Sequence, residues 1–132
     1  MSFAVLGTGS YVPPRVVTND ELSTFVDTSD EWITQRVGVR QRHVCTTGTA
    51  ADLAVQAARR ALDDAGVAPG DLDLIIGATV SGEDVSPNVA CMVQHDLGAA
   101  CPAYDINAAC SAFIFLLETA AGYFARGKVR RV

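Results

Sequence analysis

The sequence predicts an α/β fold with a mainly parallel sheet and helices on both of its faces. Three observations lead there. Short apolar runs alternate with longer stretches of helical periodicity, no linker or internal repeat interrupts the alternation, and 49% of the 132 residues are hydrophobic, enough to build a core. Strands separated by helices require crossover connections, which make neighbouring strands parallel and bring functional residues to the carboxyl ends of the strands.

The elements follow in order. Phe3-Ala4-Val5-Leu6-Gly7 reads as a buried strand, a short apolar run ended by glycine. Thr18 with Glu21, and Thr28 with Glu31, have the spacing of capping boxes and open two short helices, the second stopped by Gly38. From Thr49 to Ala65 the residues Leu53, Ala54, Ala57, Ala58, Ala61 and Leu62 recur at helical spacing before Gly66, the clearest amphipathic helix in the chain. Asp73 to Thr79 is a second buried strand. Asn88 to Leu97 is a helix entered after Pro87 and stopped by Gly98. Ala103 to Ile106 is a third strand, and an apolar helix runs from Ala112 through Leu116, Ala120 and Phe124 to Arg126, with Gly127 as its stop.

Cys110 falls at the turn between that last strand and the last helix. Unpaired N–H groups and the macrodipole at a helix start favour the thiolate, the form in which a cysteine accepts an acyl group. The competing reading is a small buried apolar residue, since free cysteine is often fully buried. Trp32 and Arg36 form a second constellation. Four residues apart, they share one helix face, where a ring and a guanidinium can grip a planar ligand such as adenine. Here the alternative is a packed tryptophan beside an arginine paired with Glu31 or Asp30.

Composition narrows the rest. A net charge of −5 and the absence of a basic stripe argue against nucleic-acid binding. The longest uncharged apolar run, Ile106 to Leu117, is too short to span a bilayer, and no basic segment precedes the first apolar residues, so neither a membrane nor a secretory role is expected. Cys45, Cys91, Cys101 and Cys110 lack the paired spacing of a zinc site, and reduced thiols in a cytoplasmic protein fit best. His43 and His95 read as structural.

The segment Asp105-Ile106-Asn107-Ala108-Ala109-Cys110-Ser111-Ala112-Phe113 resembles the nucleophile motif of the β-ketoacyl-acyl-carrier-protein synthase III family, whose members have the thiolase-like fold. Gly7-Thr8-Gly9-Ser10-Tyr11-Val12-Pro13, Thr18-Asn19, Asp27-Thr28-Ser29-Asp30-Glu31-Trp32-Ile33 and Arg36 through His43 resemble its other early blocks in the same order, so the resemblance covers essentially the whole chain. It implies that Cys110 is the acyl-accepting nucleophile and that Thr28, Trp32 and Arg36 bind coenzyme A. It implies an acyltransferase that takes an acyl group from acyl-coenzyme A as substrate, with no permanently bound cofactor and no metal. The acyl-cysteine then condenses with malonyl-acyl carrier protein, the step that initiates fatty acid biosynthesis.

A homodimer and an acyl carrier protein partner are further implications. The family is built from two similar halves, and this chain matches most of the N-terminal half, residues 1 to 132. The family's catalytic histidine and asparagine lie in the other, C-terminal half, so the chain alone is not expected to turn over. Ala112 stands where most members carry glycine, and Ser86 stands in a pocket-shaping loop where some carry a bulky aromatic. Two alternatives stay open: a starter-unit acyltransferase or ketosynthase of secondary metabolism, and a non-catalytic half-domain retained for dimerisation or carrier binding.

Overall fold

A computed structural model describes residues 3–132, which fall into two compact units. The smaller comprises Val12–Gly48, and the larger the described residues up to Tyr11 together with Thr49–Val132.

In the smaller unit, β1 (Arg15–Thr18) pairs antiparallel with β2 (Gln41–Val44), and α1 (Asn19–Ser23) and α2 (Asp30–Val37) lie between them in sequence. Asn19 is its polar hub. Only 1% exposed, it donates to Asp30 Oδ1 (2.7 Å) and to the Val39 carbonyl (2.8 Å) and accepts from the Arg42 guanidinium. A buried amide satisfied in this way ties α1 to α2 and to the approach of β2, whereas an unsatisfied one would oppose folding. Thr18 caps α1 as predicted, accepting the Glu21 N–H at 3.1 Å. The cap of α2 is Ser29 rather than Thr28: Ser29 Oγ accepts the Trp32 N–H at 3.1 Å, so the helix starts one residue later than the spacing suggested.

In the larger unit, α3 (Ala50–Ala65) opens with a complete capping box. The Asp52 N–H donates to Thr49 Oγ1 (3.0 Å) and the Thr49 N–H to Asp52 Oδ2 (2.8 Å). Gly66, at φ 62°, closes the helix in the left-handed conformation that a side chain disfavours. α4 (Val89–Leu97) is capped by Asn88, and Val55 from α3 packs on Val89 and Val93 from α4 to form the core, with Ala54, Ala58 and Leu97 around it. β3 (Ile75–Gly77) and β4 (Ala103–Asp105) are parallel, with Ile75 opposite Ala103 and Gly77 opposite Asp105. α5 (Ala112–Ala125) follows β4.

Phe3–Gly7, expected as a strand, is not one. Among the described residues no strand pairs with it, and Val5 and Leu6 are 70% and 63% exposed. The segment runs against α3 so closely that a Cβ on Gly7 or Gly9 would overlap the carbonyls of Ala61 and Ala57. Apolar composition marks a chain that is to be buried, but only a neighbouring strand makes it a strand.

Candidate active site

Cys110 is exposed, in a single 3₁₀ turn (Ala109–Ser111) between the end of β4 and the first residue of α5. Three backbone donors in the segment from β4 are bonded. The Ile106 N–H donates to the Gly77 carbonyl (2.9 Å), the Ala109 N–H to Asn107 Oδ1 (3.4 Å), and the Ser111 N–H to the Ala108 carbonyl (3.0 Å). Ala109 has φ 46°, and among the described residues no other non-glycine has a positive φ. Such a conformation costs on the order of 1–2 kcal/mol for a residue with a Cβ and persists only where its surroundings impose it. The thiol is thereby presented at a hollow lined by Ala78, Thr79 and Val80 after β3 and by Ile106 to Ala109 and Ala112. Four of the lining side chains are the methyl groups of Ala78, Ala108, Ala109 and Ala112, and none of the lining residues is charged. Ala112, at the position where glycine was noted as usual, is buried and leaves Cys110 exposed.

The other thiols have different surroundings. Cys101 is buried, which pushes its thiol above the ordinary cysteine value and makes it a poorer nucleophile. Cys91 is half-buried and points at the Ala103 carbonyl (3.4 Å), while Cys45 is exposed and faces the Thr47 carbonyl (3.2 Å).

Thr28, Trp32 and Arg36 come together in the smaller unit. The Arg36 guanidinium carbon stands 5.9 Å from the centre of the Trp32 ring, within cation–π range, and the ring is 57% exposed rather than packed in a core. Among the described residues the one ion pair is Arg15–Glu21, so Arg36 is not paired with Glu31 or Asp30. Asp30 instead accepts from Asn19 and from Thr34 Oγ1 (3.4 Å). Asp27, Thr28, Ser29 and Trp32 line one hollow, and Thr28 Oγ1 is buried with no hydrogen-bond partner among the described residues. A buried hydroxyl without a partner costs about 1–3 kcal/mol, an arrangement that makes sense where a ligand supplies the bond.

His43 Nδ1 lies 2.6 Å from the Pro13 carbonyl, a structural contact, and His95 is exposed in the last turn of α4. Among the described residues no group of three or more His, Cys, Asp or Glu side chains is placed to hold a metal ion, and no helix is long and apolar enough to cross a membrane. Two features of the site escape sequence reasoning. One is the twist at Ala109, which no residue type announces. The other is the carboxylate of Asp105, which accepts the N–H groups of Ala90 (2.8 Å) and Val89 (3.2 Å) at the start of α4.

No protein-family model matches the chain. A curated relative from Vesicomyosocius okutanii, a β-ketoacyl-[acyl-carrier-protein] synthase III, is 47% identical over 128 residues, covering 97% of this chain and 41% of the relative. The crystal structure of 3-oxoacyl-[acyl-carrier-protein] synthase III from Aquifex aeolicus superposes with a TM-score of 0.91 at 45% identity, over 95% of this chain and 41% of that one. The priming β-ketosynthase of the R1128 polyketide biosynthetic pathway superposes at 0.90 with 38% identity, over 96% and 38%. The chain thus spans about 40% of the length of the curated relatives it matches. In sequence and in its thiolase-like α/β fold alike, the chain is similar to the N-terminal portion of β-ketoacyl-acyl-carrier-protein synthase III proteins.

Proposed function

We infer that the full-length protein carrying this chain is a β-ketoacyl-acyl-carrier-protein synthase III. Its Cys110 sulfur attacks the thioester carbonyl of an acyl-coenzyme A, the carbon–sulfur bond to coenzyme A breaks, and coenzyme A leaves with the proton that the thiol gave up. The backbone N–H of Cys110 itself meets the oxyanion that forms on the way. The acyl-cysteine then condenses with malonyl-acyl carrier protein as carbon dioxide is lost, and the β-ketoacyl product begins fatty acid biosynthesis. This second step calls on the family's histidine and asparagine, which lie outside the matching portion. Trp32 and Arg36 grip the adenine of coenzyme A while Thr28 Oγ1 finds its missing hydrogen-bond partner on the same ligand. A cytoplasmic homodimer that receives its second substrate on acyl carrier protein completes the reading.

The observation that carries it is the exposed Cys110 held on a strained turn at the carboxyl end of β4, where a parallel α/β unit places its chemistry. The test is intact mass of the full-length protein after incubation with acetyl-, isobutyryl- and octanoyl-coenzyme A, alongside Cys110→Ala. An acyl adduct that disappears in Cys110→Ala is the expected result. An adduct of equal yield in Cys110→Ala, or none in either protein, overturns it.

The likeness to a polyketide priming ketosynthase supports a second reading, a starter-unit enzyme of secondary metabolism. The same donor series separates the two. An acetyl preference supports the first, and a preference for longer or branched acyl groups the second.

A further inference from the structure

We propose that Asp105 is the positioning residue of the Cys110 turn, acting as a two-pronged clamp between β4 and the start of α4. The inference rests on Cys110 being the acyl-accepting thiol and adds a residue on which its placement depends.

Asp105 is the last residue of β4, five positions before Cys110. Its two oxygens are used separately: Oδ1 accepts the Ala90 N–H at 2.8 Å and Oδ2 the Val89 N–H at 3.2 Å. These are the first two donors of α4, and the third, Cys91, is already taken by Asn88 at 3.0 Å. Val89 and Ala90 are buried, at 7% and 1% exposure, so water cannot replace the carboxylate. Asp105 lies 15 and 16 residues along the chain from these donors. It is therefore no local cap. It joins two elements.

The partner strand is shaped to admit it. Gly77 stands opposite Asp105 in the parallel register, and a Cβ there would overlap Asp105 Oδ1 and press on Ala90 Cβ at 3.2 Å. From Asp105 onward the path is tied to β3 by the Ile106–Gly77 bond and closed on itself by the bonds of Ala109 to Asn107 and of Ser111 to Ala108. Whatever sets the end of β4 sets Cys110. Asparagine would fit the space, yet it offers one acceptor where α4 presents two donors, and its NH₂ would face an N–H. Only a carboxylate meets both.

The experiment compares Asp105→Asn, Asp105→Ala, Gly77→Ala, the double variant Gly77→Ala/Asp105→Ala and Val93→Ala in the full-length protein. For each, the rate of Cys110 acylation, the KM for acyl-coenzyme A and the Tm are measured. Val93→Ala truncates the α3–α4 core one turn beyond the clamp and leaves Asp105, both of its donors and Gly77 in place, so it reports what loss of core packing does while the clamp's hydrogen bonds remain. Asp105→Asn is expected to slow acylation about tenfold to a hundredfold, the range that a displacement of about an ångström at a reacting centre produces, with KM little changed. Gly77→Ala is expected to do the same through the opposite partner, and to add little once Asp105 has become alanine. Should Asp105→Asn fail to fold, Gly77→Ala carries the comparison.

Wild-type acylation in Asp105→Asn overturns the proposal, as does Val93→Ala slowing the step equally at matched Tm. Full acyl transfer in Cys110→Ala would instead remove the functional reading on which the proposal rests. The two failures are therefore distinct.

Discussion

The two candidate regions, one in each unit, are built from opposite materials. Around Trp32 the grip is made of side chains: an exposed indole, a guanidinium over it and a hydroxyl without a partner, carried on or beside the eight-residue helix α2. Around Cys110 the side chains are uncharged, four of them alanine methyls, and the backbone contributes the shape through Ala109 at φ 46° and the bonds that lead to it from β4. Under the proposed function, one region would recognise by residue identity and the other present by conformation. Substitutions in the first should therefore act on binding, and substitutions in the second on the chemical step.

The sharpest way to break this distinction is Ala109→Val. A β-branched side chain at φ 46° is a poorer fit than alanine, so the turn must open and the thiol must move. The rate of Cys110 acylation is expected to fall about a hundredfold, with KM for acyl-coenzyme A within a few-fold of the parent. Ala109→Gly, which accepts the same φ without strain, should keep most of the rate. A rise in KM at unchanged rate in Ala109→Val would show that the turn serves binding after all. Trp32→Ala is the mirror image. Loss of one stacking surface for adenine should raise KM about tenfold and leave single-turnover acylation at saturating donor unchanged, as measured by quenched-flow mass spectrometry. An equal fall in the saturated rate would merge the two regions into one.

How much of this was legible in the sequence depends on whether local signals agreed. α3 was read nearly to the residue because periodicity, the Thr49–Asp52 pair and Gly66 all point the same way. β1 and β2 were missed. Their sequences, Arg-Val-Val-Thr and Gln-Arg-His-Val, mix charged or polar and apolar residues over only four positions, too few to show a strand period. Phe3–Gly7 failed in the reverse sense, with strong composition but no paired neighbour among the described residues. Cys110, Trp32 and Arg36 were visible as motifs. The strain at Ala109 and the clamp of Asp105 were not, because alanine carries no conformational signature and a carboxylate 15 residues from its donors leaves no spacing to recognise. The misassigned cap of α2 had a consequence too. In a capping role the Thr28 hydroxyl would accept an N–H of α2, whereas Ser29 does the capping and Thr28 Oγ1 is left without a partner among the described residues.

That free hydroxyl gives the smallest predicted effect and the most diagnostic one. In the free protein Thr28 Oγ1 is buried without a partner, so Thr28→Val removes an uncompensated polar group and should raise stability by about 1 kcal/mol, visible as a higher Tm in thermal denaturation. In the complex the same substitution deletes a hydrogen bond to the ligand, and KM for acyl-coenzyme A should rise about fivefold, the equivalent of roughly 1 kcal/mol. The two changes have opposite signs, which a purely structural threonine cannot produce: one that merely packed would leave KM alone, and one that capped α2 would lower Tm when lost. A Thr28→Val protein that is both less stable and unchanged in KM would return Thr28 to a structural role and leave Trp32 and Arg36 to hold the adenine by themselves. A more stable, weaker-binding protein would mark this hollow as a place where folding free energy is set aside for a ligand.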